Sequence, residues 1–284
     1  MKRMQRPGRF LLYLLVAAHV AAGAAMIALA FGSDMRVRTP DFGWQERWLV
    51  VTSVIGFSFG QSALATWWAV MGRSLNWSAR SAVLLGVCML WARVIAAVTD
   101  APAWMGWTLQ VGLAVTMLWV LVPWRLWHDA QQRALTSSQA GVVRPWQFEL
   151  RGLMLIVLAA ACTFAVAQWC LAAGGTQVAR HVWPFAVAGA VTALVVLWGG
   201  ASKRTVLRRC VTVATTVTAV MLLMQWRDDR HADWWFYPVV FGSETIVVAA
   251  TLAVLKVAAR QPAFVDARQC EVDALRSSGN PQLG

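Results

Sequence analysis

The sequence predicts an all-α polytopic membrane protein, a bundle of eight transmembrane helices, and three observations predict it. The first is composition: 59% of the 284 residues are hydrophobic and 13% are charged, with a mean hydropathy of +0.56. A soluble domain carries about a quarter charged residues, so the apolar excess must face lipid rather than fill a larger core. The second is that the apolar residues fall in runs near the ~20 needed to cross hydrocarbon. The third is that the basic residues gather beside alternate ends of those runs.

The runs cover about Phe10–Phe31, Trp48–Met71, Ala82–Val98, Trp104–Trp124, Leu153–Ala173, Val182–Gly200, Val211–Gln225 and Trp235–Leu255. The first follows Lys2, Arg3, Arg6 and Arg9. Its apolar length exceeds the roughly 7–15 residues of a signal-peptide core, so it reads as a retained span. The second contains Gly56 and Gly60, a GxxxG spacing that lets another helix approach closely. The third carries Arg93, and the fourth lies between Trp104 and Trp124. The seventh is the shortest. The eighth holds Pro238 and, six residues later, Glu244. A proline removes a donor there, which predicts a kink just outside the glutamate.

Eighteen of the 25 Lys and Arg residues fall on the side of the N-terminus, the second, fourth and sixth connections and the C-terminal tail; seven fall on the other. This positive-inside bias places both termini in the cytoplasm. The net charge of +12 is thereby explained by topology, and no nucleic-acid partner is needed. Residues 1–257 read as one membrane domain. Residues 258–284 read as a cytoplasmic tail, disordered at its polar end. Arginine and alanine far outnumber lysine, a composition of GC-rich bacteria, so the expected location is a bacterial cytoplasmic (inner) membrane.

The two halves resemble each other weakly. Arg6, Pro7, Phe10 and Leu12 line up with Arg144, Pro145, Phe148 and Leu150. Ser62-Ala63-Leu64, Trp68 and Arg73 line up with Thr192-Ala193-Leu194, Trp198 and Lys203, and Trp104 with Trp234. With four spans in each half, the copies would form a four-plus-four parallel repeat.

Tryptophan occurs 18 times, mostly near span ends. Trp44, Trp48, Trp104, Trp107, Trp234 and Trp235 fall at the outer boundary, and Trp77, Trp124 and Trp127 at the inner one. The ordinary reading is an interfacial aromatic belt. The sharper one is an outer platform for a protein partner or a lipid-soluble ligand.

Four spans place their most polar side chains in one slab, from the midplane toward the outer leaflet. At 1.5 Å per residue from the inner basic boundaries, Glu244 and Gln61 lie about 18 Å deep, Arg93 about 17 Å and His19 about 15 Å. A charge in hydrocarbon costs several kcal/mol unless it is protonated, paired or facing water, so each is a candidate site. An Arg93–Glu244 ion pair, completed by Gln61 and His19, is the specific contact these depths suggest. A haem would need a second histidine facing His19, but His128, His181 and His231 fall at span edges or in loops, so no cofactor is expected. The five cysteines show no CxxC or Cys/His cluster, so neither a disulfide framework nor a metal site is expected. No nucleotide-binding, protease or hydrolase motif occurs, and no catalytic residue is assigned.

Three functional readings follow. One is a non-catalytic membrane subunit or accessory protein with a Trp-rich outer edge. Another is a small-molecule or ion transporter using Glu244 and Arg93 near the midplane. The third is an intramembrane enzyme acting on a lipid-soluble substrate, with His19 or Glu244 as acid or base. In all three the lipid bilayer is the surrounding partner.

Overall fold

The structure, a computed structural model, describes residues 14–28, 44–72, 76–99, 101–136, 182–201, 206–227 and 235–260, with the isolated positions 168, 172 and 175. The described residues are helical and contain no strand. They form α1 (Leu14–Ala28), α2 (Trp44–Met71), α3 (Trp77–Thr99), α4 (Ala103–Thr136), α5 (Trp183–Ala201), α6 (Val206–Arg227) and α7 (Phe236–Arg260). Six of them, α2 to α7, are long and apolar enough to cross a membrane, and α1 is apolar but shorter. The chain is therefore that of a multi-pass helical membrane protein. The predicted fifth span, Leu153–Ala173, lies almost wholly outside the described residues.

Several helix bounds differ from those the apolar runs predict. The helix of the fourth span continues well past Trp124 to Thr136. Its extension is built of good helix formers, and Arg125 Nε lies 3.5 Å from Asp129 Oδ2, an i,i+4 ion pair. Hydropathy marks where a helix leaves hydrocarbon and is silent on where it stops. The seventh span is likewise not short, since its helix begins at Val206 and ends at Arg227. Pro238 sits in the first turn of α7, where the missing N–H has no intrahelical partner to lose, so it gives no reason for the expected kink inside the helix. The start of α3 is capped by Asn76, whose Oδ1 accepts from the backbone N–H of Ala79 at 2.9 Å.

Two compact units make up the chain, Met1–Ala25 with Ala250–Gly284, and Met26–Ala249. In the first, His19 of α1 and Thr251 of α7 are hydrogen-bonded, Nε2 to Oγ1, at 2.8 Å.

The larger unit is organised around α2, of whose apolar window 67% is buried, against 6% for α6. Each side of α2 takes a different neighbour. Phe57 meets Trp91 of α3 edge-on, with ring centroids 5.6 Å apart. Phe59 meets Phe185 of α5 at 5.4 Å, and its ring lies against Gly189. Gly56 and Gly60 face α7: a Cβ at Gly56 would strike the Val240 carbonyl and Ser243 Oγ, and one at Gly60 would lie 2.9 Å from Val247. The GxxxG spacing thus admits α7 to backbone contact. A step of four residues on α2 matches a similar step on α7, so these two helices run parallel. Elsewhere α4 crosses α3 where Gly106 meets the Ala92 carbonyl, and meets α5 where Gly112 lies against Ala186. At the periphery α6 presents Leu207, Leu222, Leu223 and Trp226 outward, the last 82% exposed.

Candidate functional site

The buried face of α7 within the larger unit is Tyr237, Val240, Phe241, Glu244 and Val248. These residues recur at helical spacing, so Glu244 occupies a core position in an otherwise apolar stripe. Its neighbours are small or locally satisfied: Ser243 Oγ donates to the carbonyl of Val239 at 2.5 Å, and Thr245 Oγ1 to that of Phe241 at 2.7 Å. The backbone of Glu244 approaches α2 at Gly60. Rings cover the site on its Phe236 side, where Phe185 of α5 lies 5.5 Å from Phe241 and 6.1 Å from Tyr237. Glu244 is 0% exposed, and neither carboxyl oxygen has a hydrogen-bond partner.

The ion pair suggested by depth is not made. Arg93 is exposed on α3, a helix that packs against α2 and α4, while Glu244 is sealed on α7. Counting residues fixes a level along the helix axis but not the direction in which a side chain points, and here the two directions differ. Gln61 lies half-buried on α2 and takes part in an interaction of its own. His19 bonds to Thr251 as described above.

The buried polar contacts that do form involve residues the sequence reading passed over. Gln110 of α4 donates from Nε2 to Ser58 Oγ at 3.0 Å and accepts from Ser62 Oγ at 2.5 Å. Ser58 in turn donates to the Ile55 carbonyl at 2.6 Å. All three polar members are fully buried. Such a satisfied seam fixes the register of α2 against α4, because a slip would strand an amide in an apolar interior. The signal was available in the i,i+4 pair Ser58 and Ser62 and in a lone amide within the fourth span.

Thr192 of α5 breaks the pattern of the other hydroxyls. Thr66, Thr108, Thr116 and Thr245 each donate to the carbonyl one turn back, as helices in an apolar medium require. Thr192 Oγ1 is buried and bonds to nothing, the one such hydroxyl among the described residues.

Away from the core, Arg80 closes the α2–α3 connection. It donates to the Gly72 carbonyl and lies 5.5 Å from the centre of the Trp77 ring. Of the predicted outer tryptophans, Trp104, Trp107 and Trp235 are part-buried, while the side chains of Trp44, Trp48 and Trp234 lie outside the described residues. Trp77, Trp124 and Trp127 are exposed at the predicted inner boundary. No group of three or more His, Cys, Asp or Glu able to hold a metal occurs among the described residues.

Site and fold together define a multi-pass membrane protein with a sealed carboxyl on α7, packed against α2 and α5. No family model matches the chain, and no curated protein or solved structure is similar to it.

Proposed function

We propose that the protein is an ion-coupled transporter in which Glu244 is the exchanging group. The observation that carries this reading is the full burial of a carboxyl whose two oxygens have no partner. A carboxyl kept for packing alone would be expected to resemble Gln110, bonded on both sides of its amide. Left unbonded, it burdens the fold, and such burdens are retained at sites that do chemistry or bind ions. A passive subunit has no use for it. An enzyme would need a second titratable group converging on it, and Arg93 is turned away. Glu244 is thus the exchanging group, and Arg93 takes no part in the exchange step.

The test is flux through the purified protein in liposomes carrying imposed sodium and proton gradients. Wild type should collapse at least one gradient faster than protein-free liposomes. Glu244→Gln should fall to the protein-free rate, and Glu244→Asp should retain part of the activity. A Glu244→Gln protein that matches wild type would remove the carboxylate from the mechanism.

A further inference from the structure

Two buried side chains in the larger unit have unbonded oxygens at the core of the bundle, Glu244 on α7 and Thr192 on α5. Their positions are linked by a contact between the same helices. The rings of Phe185 and Tyr237 lie 6.1 Å apart. Thr192 stands seven residues beyond Phe185, and Glu244 stands seven beyond Tyr237. Helices α5 and α7 are separated by the single crossing of α6, so they traverse the bundle in the same direction. Seven residues is close to two full turns, a rise of about 10.5 Å, and returns each side chain nearly to its starting face. Phe185 also meets Phe236 and Phe241, at 6.0 and 5.5 Å, so the helix pair carries Thr192 to within about one turn of Glu244 along the shared face. Helix α2 closes the third side there, through Gly60 against α7 and Phe59 against α5.

The same two residues are related through the internal match of the two halves. In the weak internal match of the two halves, Thr192 is the counterpart of Ser62. Ser62 on α2 bonds to the buried polar residue of α4, Gln110. The buried polar residue of α7 in this unit is Glu244, one turn beyond the position matching Gln110. The first half closes its pair with a hydrogen bond between a hydroxyl and a neutral amide. The second half holds a hydroxyl and a carboxyl that do not bond to each other. Two buried oxygens that do not bond to each other can both serve as ligands of an ion placed between them.

We infer that Glu244 and Thr192 are two ligands of a binding site for a monovalent alkali cation between α5, α7 and α2. Charge selects the class. One carboxylate neutralises a single positive charge, whereas a divalent ion would leave an excess charge in an apolar interior. Hydroxyl and carboxylate oxygens are hard ligands, suited to alkali ions and not to soft metals. The inference rests on the reading of Glu244 as the exchanging group and names what it exchanges.

Thermal unfolding of the purified full-length protein in detergent tests it, in lithium, sodium or potassium chloride against N-methylglucamine chloride at equal ionic strength. A ligand that binds the folded state raises the unfolding temperature in a saturable way. Wild type should be stabilised by at least one alkali ion, with a defined half-saturating concentration. Glu244→Gln should abolish the shift, and Thr192→Val should raise the half-saturating concentration about tenfold or more. Thr192→Ser keeps the hydroxyl and should behave as wild type, which separates loss of a ligand from loss of packing. Equal unfolding in all four salts overturns the site, and so does a shift that survives Glu244→Gln or is unaltered in Thr192→Val. If flux still depends on Glu244 while no alkali ion stabilises the protein, the cation site fails and the transporter reading stands.

Discussion

Gly56→Val is expected to destabilise the protein by about 3 kcal/mol or more, the range of severe overpacking. The reason is what the new side chain meets. Its Cβ would lie within the Val240 carbonyl and against Ser243 Oγ, and the first of these is backbone. A flexible side chain could swing aside, but α7 can respond only by moving away from α2. That movement would also open the contacts at Gly60 and between Phe185 and Phe241. Gly86 supplies the control, because a Cβ there has nothing within 4 Å. Gly86→Ala should be neutral or stabilising by up to about 1 kcal/mol, through helix propensity alone. Unfolding in detergent, followed by heat or denaturant, compares the two. Similar effects at both positions would mean that α2 and α7 are not packed backbone to backbone.

Glu244→Met is expected to act in the opposite direction and raise stability by about 1–4 kcal/mol, as when buried ionic groups give way to apolar residues of similar volume. The side chain keeps its length and loses two oxygens that have no partner. It then lies among Val240, Phe241 and Val248, the apolar members of its own buried face. The same variant should be inactive in flux. Stability gained as activity is lost is what a functional burden predicts. A carboxyl serving as a structural tie would give the reverse, a destabilised protein. Unfolding of Glu244→Met beside wild type decides between the two.

The membrane class and the helix positions were legible because they depend on one-dimensional properties. Apolar run length and flanking charge survive in any single sequence, and the described helices overlap every predicted span except the fifth, which lies outside them. Glu244 was legible for the same reason, as a carboxyl far from either end of its run. Arg93 marks the limit of that reasoning: its depth by residue count matches that of Glu244, but it is exposed on α3 while Glu244 is sealed on α7. Gln110 and Ser62 were overlooked because uncharged polar residues are common in membrane helices, and only three-dimensional pairing distinguishes a seam from a scatter. Thr192 could not have been singled out. A threonine in a helix ordinarily bonds to its own backbone, and the absence of that bond is visible only in the folded chain. The length of α4 was hidden because its continuation is polar, so its hydropathy resembles that of a loop.

That Glu244 is reached from water during a working cycle, although sealed in the state described here, is the central claim. The most direct measurement places a cysteine at position 244 in a protein lacking its five native cysteines. Membrane-impermeant thiol reagents are then applied separately to each face of the membrane. The account predicts modification from at least one face, at a rate that falls when α2 and α7 are cross-linked together. A cysteine at 244 that stays unmodified from both faces, in a protein that reacts readily at a cysteine introduced at the exposed position 226, would contradict it.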